Sequence, residues 1–197
     1  MAGVIVLVRH GETEWSRSGQ HTGRTDLPLT EKGRADAAKL SPYLSARHFG
    51  LVLISPLSRA QETARLAGLS GEDDANLLEW DYGSYEGRRT ADIRVDIGDP
   101  TWTIWRDPIP AGETPGEQPE DVAARARLVI QRCLPVLAQD QDVALVAHGH
   151  LLRMLTATWL DLPAVDGRLF ALDAGALSSL GFEHEQHVIR SWNAATL

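Results

Sequence analysis

The sequence predicts an α/β layered fold with a mainly parallel sheet, and two observations carry that prediction. Three short apolar runs, Val4–Val8, Leu51–Ile54 and Asp142–Ala147, lack the alternation of a half-exposed strand and read as strands buried on both faces. Longer segments of helical character stand between them, and strand–helix alternation builds parallel sheets. With 197 residues, 43% hydrophobic and 23% charged, the chain can bury one sizeable core. A single domain over residues 1–197 is the expectation.

The elements follow in order. Val4–Val8 is the first strand, and a polar loop rich in Gly, Thr and Arg follows from Gly11 to about Leu29. Thr30 can cap a helix running to about Arg47, kinked or split by Pro42. Leu51–Ile54 is the second strand; Ser55-Pro56 opens a helix through about Leu66, closed by Gly68. Residues 71–117 read as loops with a short helix near Thr90–Asp96. From Glu120 to Ala138, Val122, Ala126, Val129, Ile130, Cys133 and Leu137 fall at helical spacing, with Pro135 expected to distort the last turn. Asp142–Ala147 is the third buried strand, and a helix follows over Leu151–Leu160. The last thirty residues read as strands at Leu169–Leu172, Leu177–Phe182 and His187–Trp192.

Composition excludes several functions. A net charge of −8 argues against a nucleic-acid or anionic-membrane surface. Cys133 is the sole cysteine, which rules out intramolecular disulfides and Cys-based zinc sites. No apolar run approaches the ~20 residues of a membrane span. Gly3–Val8 is too short for a signal-peptide core and is interrupted by Arg9 and His10. A soluble, cytoplasmic protein with neither nucleic acid nor membrane as partner is expected; a homodimer stays open.

The chemistry gathers at the strand ends. Arg9-His10-Gly11 follows the first strand and His148-Gly149-His150 the third, and parallel sheets bind ligands beyond the carboxyl ends of their strands. Arg59 follows the second strand, on the first turn of its helix, and can point at the same rim. Two imidazoles and two guanidiniums in a small volume repel one another unless an anion sits among them. Arginine forks match phosphate oxygens, and helix N-termini add N–H donors. Any one of these residues alone could simply pair with a nearby carboxylate. Three strand-end motifs together, with Gly beside each His, point to phosphate.

These residues resemble a known family. Leu7-Val-Arg-His-Gly-Glu-Thr-Glu-Trp15 is similar to the opening motif of the histidine phosphatase superfamily, which includes cofactor-dependent phosphoglycerate mutases. The resemblance continues through His21-Thr-Gly-Arg-Thr-Asp26, Pro28-Leu-Thr-Glu-Lys-Gly33, Ser55-Pro-Leu-Ser-Arg-Ala-Gln-Glu-Thr63, Leu78-Glu-Trp-Asp-Tyr-Gly-Ser-Tyr-Glu-Gly87 and Val146-Ala-His-Gly-His150. These blocks keep the family order over most of residues 4–160. The resemblance implies a three-layer sandwich of the phosphoglycerate mutase type, its sheet flanked by helices. It makes His10 the nucleophile that becomes phosphohistidine, and Arg9, Arg59 and His148 the groups that hold the transferring phosphoryl. Glu79 matches the proton donor, with Glu86 and Glu12 as competing carboxylates; Trp80, Tyr82 and Tyr85 would desolvate it.

Chemistry accounts for these roles independently. A neutral imidazole is a good nucleophile near neutral pH, and a backbone carbonyl on its other nitrogen would fix the tautomer. The phosphoryl transition state needs positive charge around its equatorial oxygens, which arginines supply without a metal. A carboxylic acid protonates the leaving alkoxide, then as base activates water.

The resemblance extends to lesser positions. Thr22, Gly23 and Gly149 match phosphate-contacting positions, and His150, beside the motif histidine, could touch substrate or pack with Met154 and Trp159. Ser16 stands where many members carry a phosphate-donating Asn. Arg24, Tyr82 and Arg89 either line the substrate entrance or lie on the surface. Gly116-Glu-Gln118 resembles a Gly-Glu-Ser block.

Three rival readings were open to discrimination. Metal hydrolysis would draw on His148, His150, His21, Asp26 and Glu12, but two-metal phosphatases carry carboxylates at the strand ends, where this chain has Arg and His. An inert phosphate-binding module would be expected to lose the nucleophile or an arginine. A cofactor-dependent mutase must shield its phosphoenzyme and rebind an acid bisphosphate; the mutases resembled carry a longer insertion with extra basic contacts, and here Asp107–Glu120 is acidic and proline-rich. The expected activity is a phosphatase resembling acid and sugar-bisphosphate phosphatases, with no metal or cofactor. It would act on a small phosphorylated metabolite and release inorganic phosphate. Trp102 and Trp105 could form an apolar or sugar-stacking wall, or belong to the core.

Overall fold

The computed structural model describes residues 3–194. Its six-stranded sheet contains β1 (Ile5–Arg9), β2 (Phe49–Ile54), β3 (Glu72–Asp73), β4 (Asp142–Ala147), β5 (Leu177–Glu183) and β6 (Gln186–Ala194), in the order β3-β2-β4-β1-β5-β6. The first four in that order are parallel; β5 joins β1 antiparallel and β6 forms a hairpin with it. The apolar runs explain the centre of the sheet. Alternate residues of a strand point to opposite faces, so a strand covered on both sides must be apolar throughout.

Two cores show that covering directly. On one face Ile5, Leu7, Leu53, Val143 and Leu145 pack with α6 (Pro119–Leu137) and α7 (Gly149–Trp159). On the other, Val6, Val8, Ile54 and Val146 meet α2 (Glu31–Lys39), α3 (Ser41–Leu44) and α4 (Ser58–Leu66) through Leu40, Leu44, Ala60 and Ala64. The result is a three-layer α/β sandwich with a mainly parallel sheet, as the sequence predicts. Cys133 is buried in the first core as a free thiol.

The local signals explain most boundaries. Thr30 caps α2 by accepting from the Gly33 N–H. The expected helix to Arg47 is split at Leu40, and Pro42 takes the first turn of α3, where its missing N–H costs no bond. The loop after β1 contains an unpredicted helix, α1 (Glu14–Ser18), too short for a periodicity signal; Thr13 and Ser16 cap it reciprocally. Thr90–Ile97 forms α5. α6 runs unbroken through Pro135 to Leu137.

One expectation fails. Leu169–Leu172 is not a strand: residues 164–169 form a 3₁₀ turn and the chain then runs irregularly. Side chains take its carbonyls instead of a neighbouring strand: Arg9 donates to that of Leu172 and Trp192 Nε1 to that of Ala171, while Arg153 holds the preceding turn through the Gly167 and Arg168 carbonyls.

Candidate active site

Three parallel strands end on one rim. Arg9 lies opposite Ala147 in the β1–β4 ladder, and Ile54 opposite Val146 in the β2–β4 ladder. His10, Ser55 and His148 therefore leave the sheet side by side, at the strand ends where open α/β sheets bind ligands. The His10 and His148 rings meet edge to face with centroids 5.1 Å apart.

His10 is buried, and its Nδ1 lies 2.7 Å from the Gly11 carbonyl oxygen. A carbonyl can only accept, so Nδ1 carries the proton and Nε2 keeps its lone pair. Burial, reinforced by the Arg59 and Arg9 charges, holds the imidazole well below its usual pKa. The ring is thus neutral and available as a nucleophile well into the acid range.

The cations around it are held by backbone. Arg59 is fully buried; Nη1 donates to the Thr25 carbonyl at 2.9 Å, and Nη2 to those of Gly23 at 2.9 Å and Thr22 at 3.3 Å. Its Nε donates to His148 Nδ1 at 3.2 Å, which leaves the His148 proton on Nε2, 2.7 Å from Ser55 Oγ. Arg9 donates through Nη1 to the Leu172 carbonyl, while its buried Nε finds no acceptor among the described residues. Buried donors are normally paired, and a guanidinium left short of an acceptor is suited to an anion. Gly149 leaves the guanidinium room: a Cβ there would stand 3.1 Å from the Arg9 guanidinium carbon, so the fork would have to shift.

Glu79 faces the same cavity from the loop after the 3₁₀ turn Ala75–Leu77. Its Oε1 accepts from the N–H groups of Trp80 at 2.9 Å and Leu151 at 2.8 Å, and its Oε2 from that of His150 at 3.0 Å. Two of these donors belong to the N-terminal turn of α7, which favours negative charge. With one N–H partner against two, Oε2 is the oxygen with room for a proton. Arg125 fixes this loop by donating to the carbonyls of Asn76, Leu78 and Glu79 and pairing with Glu117.

Geometry separates the three carboxylates. Glu12 accepts from the Thr30 hydroxyl, and Glu86 accepts from the N–H groups of Gly23 and Thr25. Glu86 thereby supports the loop whose carbonyls hold Arg59. A Cβ at Gly23 would lie 2.5 Å from the Trp80 carbonyl oxygen, so glycine is demanded there by close approach.

The cavity measures about 160 Å³, below the ~300–1,000 Å³ of a drug-sized ligand pocket. Among the expected residues, Arg9, His10, Ser16, Thr22, Glu79, Tyr82, Gly149 and His150 line it. Arg59 and His148 lie fully buried beside it. The Ser16 hydroxyl is engaged with Thr13 in the α1 cap, and the Gly23 N–H with Glu86. Arg89 is exposed and pairs with Asp92, away from the cavity. Arg24 pairs with Glu117 at 3.4 Å.

A second cavity of about 390 Å³ shares Arg9, Ser16, Gln20, His21 and His150 with the first and adds Thr90, Thr103, Ile104 and Trp105. His150 stands between the two. Its Nδ1 receives the Tyr82 hydroxyl, and its ring contacts Trp105 at 4.8 Å and Trp80 at 5.8 Å between centroids. Burial and the nearby Glu79 and Glu86 charges push the Tyr82 phenol well above its usual pKa, which keeps it a donor. Trp102 is core, packed on Tyr85. Met154 and Trp159 are core too.

Sequence reading missed Gln20, Leu172 and Arg153 as cavity residues. Arg153 carries a usable signal, since it lies three residues after His150 and hence on the same face of α7. For metal binding, His148 and His150 face different partners. No group of three or more His, Cys, Asp or Glu among the described residues is placed to hold a metal ion.

Comparison with known proteins agrees with the motifs. The family model "histidine phosphatase superfamily (branch 1)" matches residues 5–195. An acid phosphatase of Mycobacterium tuberculosis is 37% identical over 183 residues, 91% of this chain and 87% of its own. A sedoheptulose 1,7-bisphosphatase of Saccharomyces cerevisiae is 31% identical over 91% of this chain and 87% of its own. A mycobacterial glucosyl-3-phosphoglycerate phosphatase, solved with vanadate, superposes with a TM-score of 0.84 at 30% identity, covering 98% of this chain and all of the other. A 2,3-bisphosphoglycerate-dependent phosphoglycerate mutase of Gloeobacter violaceus is 32% identical over 77% of this chain and 73% of its own. The match runs from the first strand to the last, and it establishes that the chain belongs to the histidine phosphatase superfamily and is one of its phosphatases.

Proposed function

We propose that this single domain hydrolyses phosphomonoesters of small metabolites, sugar phosphates among them, without a metal and through a phosphohistidine at His10. The observation that carries the reading is the Nδ1–H bond from His10 to the Gly11 carbonyl, which leaves Nε2 with its lone pair in a cavity bordered by Arg9 and Glu79. Nε2 attacks phosphorus, the ester P–O bond breaks, and Glu79 protonates the departing alcohol oxygen. Glu79 then takes a proton from water, the water oxygen attacks the phosphohistidine, and inorganic phosphate leaves with His10 neutral again. Arg9 and Arg59 meet the charge on the equatorial oxygens.

Hydrolysis is favoured over mutase action by the leaving-group side of the cleft. The chain after Glu79 contributes Thr103, Ile104 and Trp105 there, and Arg106 is tied to Asp99 and Asp107. Turnover of p-nitrophenyl phosphate by EDTA-dialysed wild type and His10→Ala tests the proposal. Unchanged wild-type turnover with near-total loss in the variant is expected. Activity that EDTA abolishes and zinc or magnesium restores, or a tenth of wild-type turnover in folded His10→Ala, overturns it.

A further inference from the structure

One turn beyond Arg59, α4 carries a buried polar residue that the mechanism leaves unused. Thr63 is fully buried, four residues after Arg59 and so on the same face of the helix. Its hydroxyl donates to the Arg59 carbonyl at 2.7 Å. With its proton committed there, Oγ1 is left as an acceptor, and it takes the Gly11 N–H at 3.0 Å from fifty-two positions away in sequence. One hydroxyl thus joins the turn that carries Arg59 to the residue whose carbonyl fixes the His10 tautomer.

Gly11 needs such an anchor. Its carbonyl oxygen lies 2.7 Å from His10 Nδ1, so the direction of one C=O decides which ring nitrogen keeps the lone pair. Glycine has the widest choice of backbone angles, and an unheld Gly11 could turn that carbonyl away. A side chain cannot stiffen the position, because a Cβ at Gly11 would stand 2.5 Å from the Gly33 carbonyl oxygen on α2. The flanking groups are pinned by backbone. The His10 N–H donates to the Ala147 carbonyl at 2.9 Å, the His10 carbonyl accepts from the Gly175 N–H at 3.0 Å, and the Glu12 carbonyl accepts from the Thr30 N–H at 2.9 Å. At the Gly11 N–H the anchor is a side chain, and Thr63 provides it. A hydroxyl that donates is also the stronger acceptor, since linked hydrogen bonds polarise one another.

We infer that Thr63 is a positioning residue for the nucleophile: through the Gly11 N–H it holds the carbonyl that keeps the His10 proton on Nδ1 and Nε2 free to attack. Its effect on rate rests on the phosphohistidine reading, whereas the place of the ring proton is read without turnover.

The test uses Thr63→Val, which keeps the branched shape and removes the hydroxyl, and Thr63→Ser, which keeps the hydroxyl. Long-range ¹H–¹⁵N spectra of resting protein labelled at histidine, with His10 assigned by its loss in His10→Ala, report which ring nitrogen is protonated. Wild type and Thr63→Ser should carry the His10 proton on Nδ1, and in Thr63→Val it should be shared with Nε2 or moved there. The burst with p-nitrophenyl phosphate should slow about ten- to a hundredfold in Thr63→Val, the scale of a misaligned reacting group, and Thr63→Ser should recover most of that rate. A merely structural threonine would lower Tm and leave both readouts at their wild-type values. At a temperature where every variant is folded by circular dichroism, a His10 proton still wholly on Nδ1 in Thr63→Val overturns the inference. So does a wild-type burst in that variant, or a serine variant that behaves like the valine one. Thr63→Ala removes the same hydroxyl without setting a methyl against the Gly11 N–H, and it is read in the same way if the valine variant does not fold. Should wild type form no phosphohistidine, the ring-proton spectra alone decide: a displaced proton in Thr63→Val supports the assignment of Thr63, and only the phosphohistidine reading has failed.

Discussion

Glu79→Gln is the substitution whose consequences can be worked out in most detail. Glutamine keeps one acceptor oxygen and replaces the other with an NH₂ group. The acceptor belongs where Oε1 meets the N–H groups of Trp80 and Leu151, which turns the NH₂ toward the His150 N–H that Oε2 now accepts. Two donors then face each other, and the N-terminal turn of α7 loses a charge-assisted bond. A buried donor left unsatisfied costs about 1–3 kcal/mol, so unfolding free energy in urea should fall by that amount. The catalytic loss is separate, because the variant has no proton to give. General acid assistance is worth about 10²–10⁴-fold, or about 3–5 kcal/mol of barrier. An alkyl or sugar alkoxide needs that proton, whereas p-nitrophenolate departs without it. Burst-phase kinetics isolate the first step from dephosphorylation, for which Glu79 is the proposed base. The burst with a sugar phosphate should slow by two or more powers of ten and that with p-nitrophenyl phosphate far less. Equal slowing of both bursts would refute Glu79 as proton donor.

Other outcomes follow from the same geometry. Removing the Glu86 carboxylate (Glu86→Ala) frees the Gly23 and Thr25 N–H groups and loosens the carbonyls that aim Arg59; turnover of p-nitrophenyl phosphate should drop about tenfold with a stability loss of about 1–2 kcal/mol, and an unchanged rate would show that Arg59 needs no such support. Burial lowers His21 from 6.5 to about 4. The unfolded chain therefore takes up the proton first, and stability should fall from pH 6.5 down to 4, by about 3 kcal/mol for this residue. Urea titrations of wild type and His21→Gln check this, and identical slopes would contradict it. Saturating inorganic phosphate or vanadate should raise Tm, by about 2.7 kcal/mol in stability at a hundredfold excess over Kd; no shift in calorimetry would mean that the arginine pocket holds no anion. With 3-phosphoglycerate and its bisphosphate cofactor, NMR should find slow phosphate release and at most trace isomerisation, and a mutase rate above the best hydrolysis rate would reverse the assignment.

The readable parts of this chain were those where one residue type has one physical use. Continuous runs such as Val4–Val8 announce a doubly covered strand, and the residues just past such runs must lie on the rim, so His10 and His148 could be brought together before any coordinates. Glu79 needed its motif, because a loop carboxylate carries no period; only the α7 N–H groups and the cavity distinguish it from Glu86 and Glu12. Leu169–Leu172 misled because the carbonyls of an apolar run can be claimed by side chains from elsewhere, here Ala171 by Trp192 and Leu172 by Arg9. Spacing alone puts Arg153 on the His150 face of α7, but its partners were out of reach of the sequence, since they lie on a turn fourteen residues downstream and on Trp105, forty-eight residues upstream.

The central claim is that His10 takes up the phosphoryl group, and acid-free rapid quench with a ³²P-labelled ester tests it most directly. Within the first turnover, wild type should carry close to one label per active site, stable to base and lost in acid, on the peptide containing His10. His10→Ala, folded by circular dichroism, should carry none. A label on another residue, or a full product burst from wild type with no covalent label, would contradict the account.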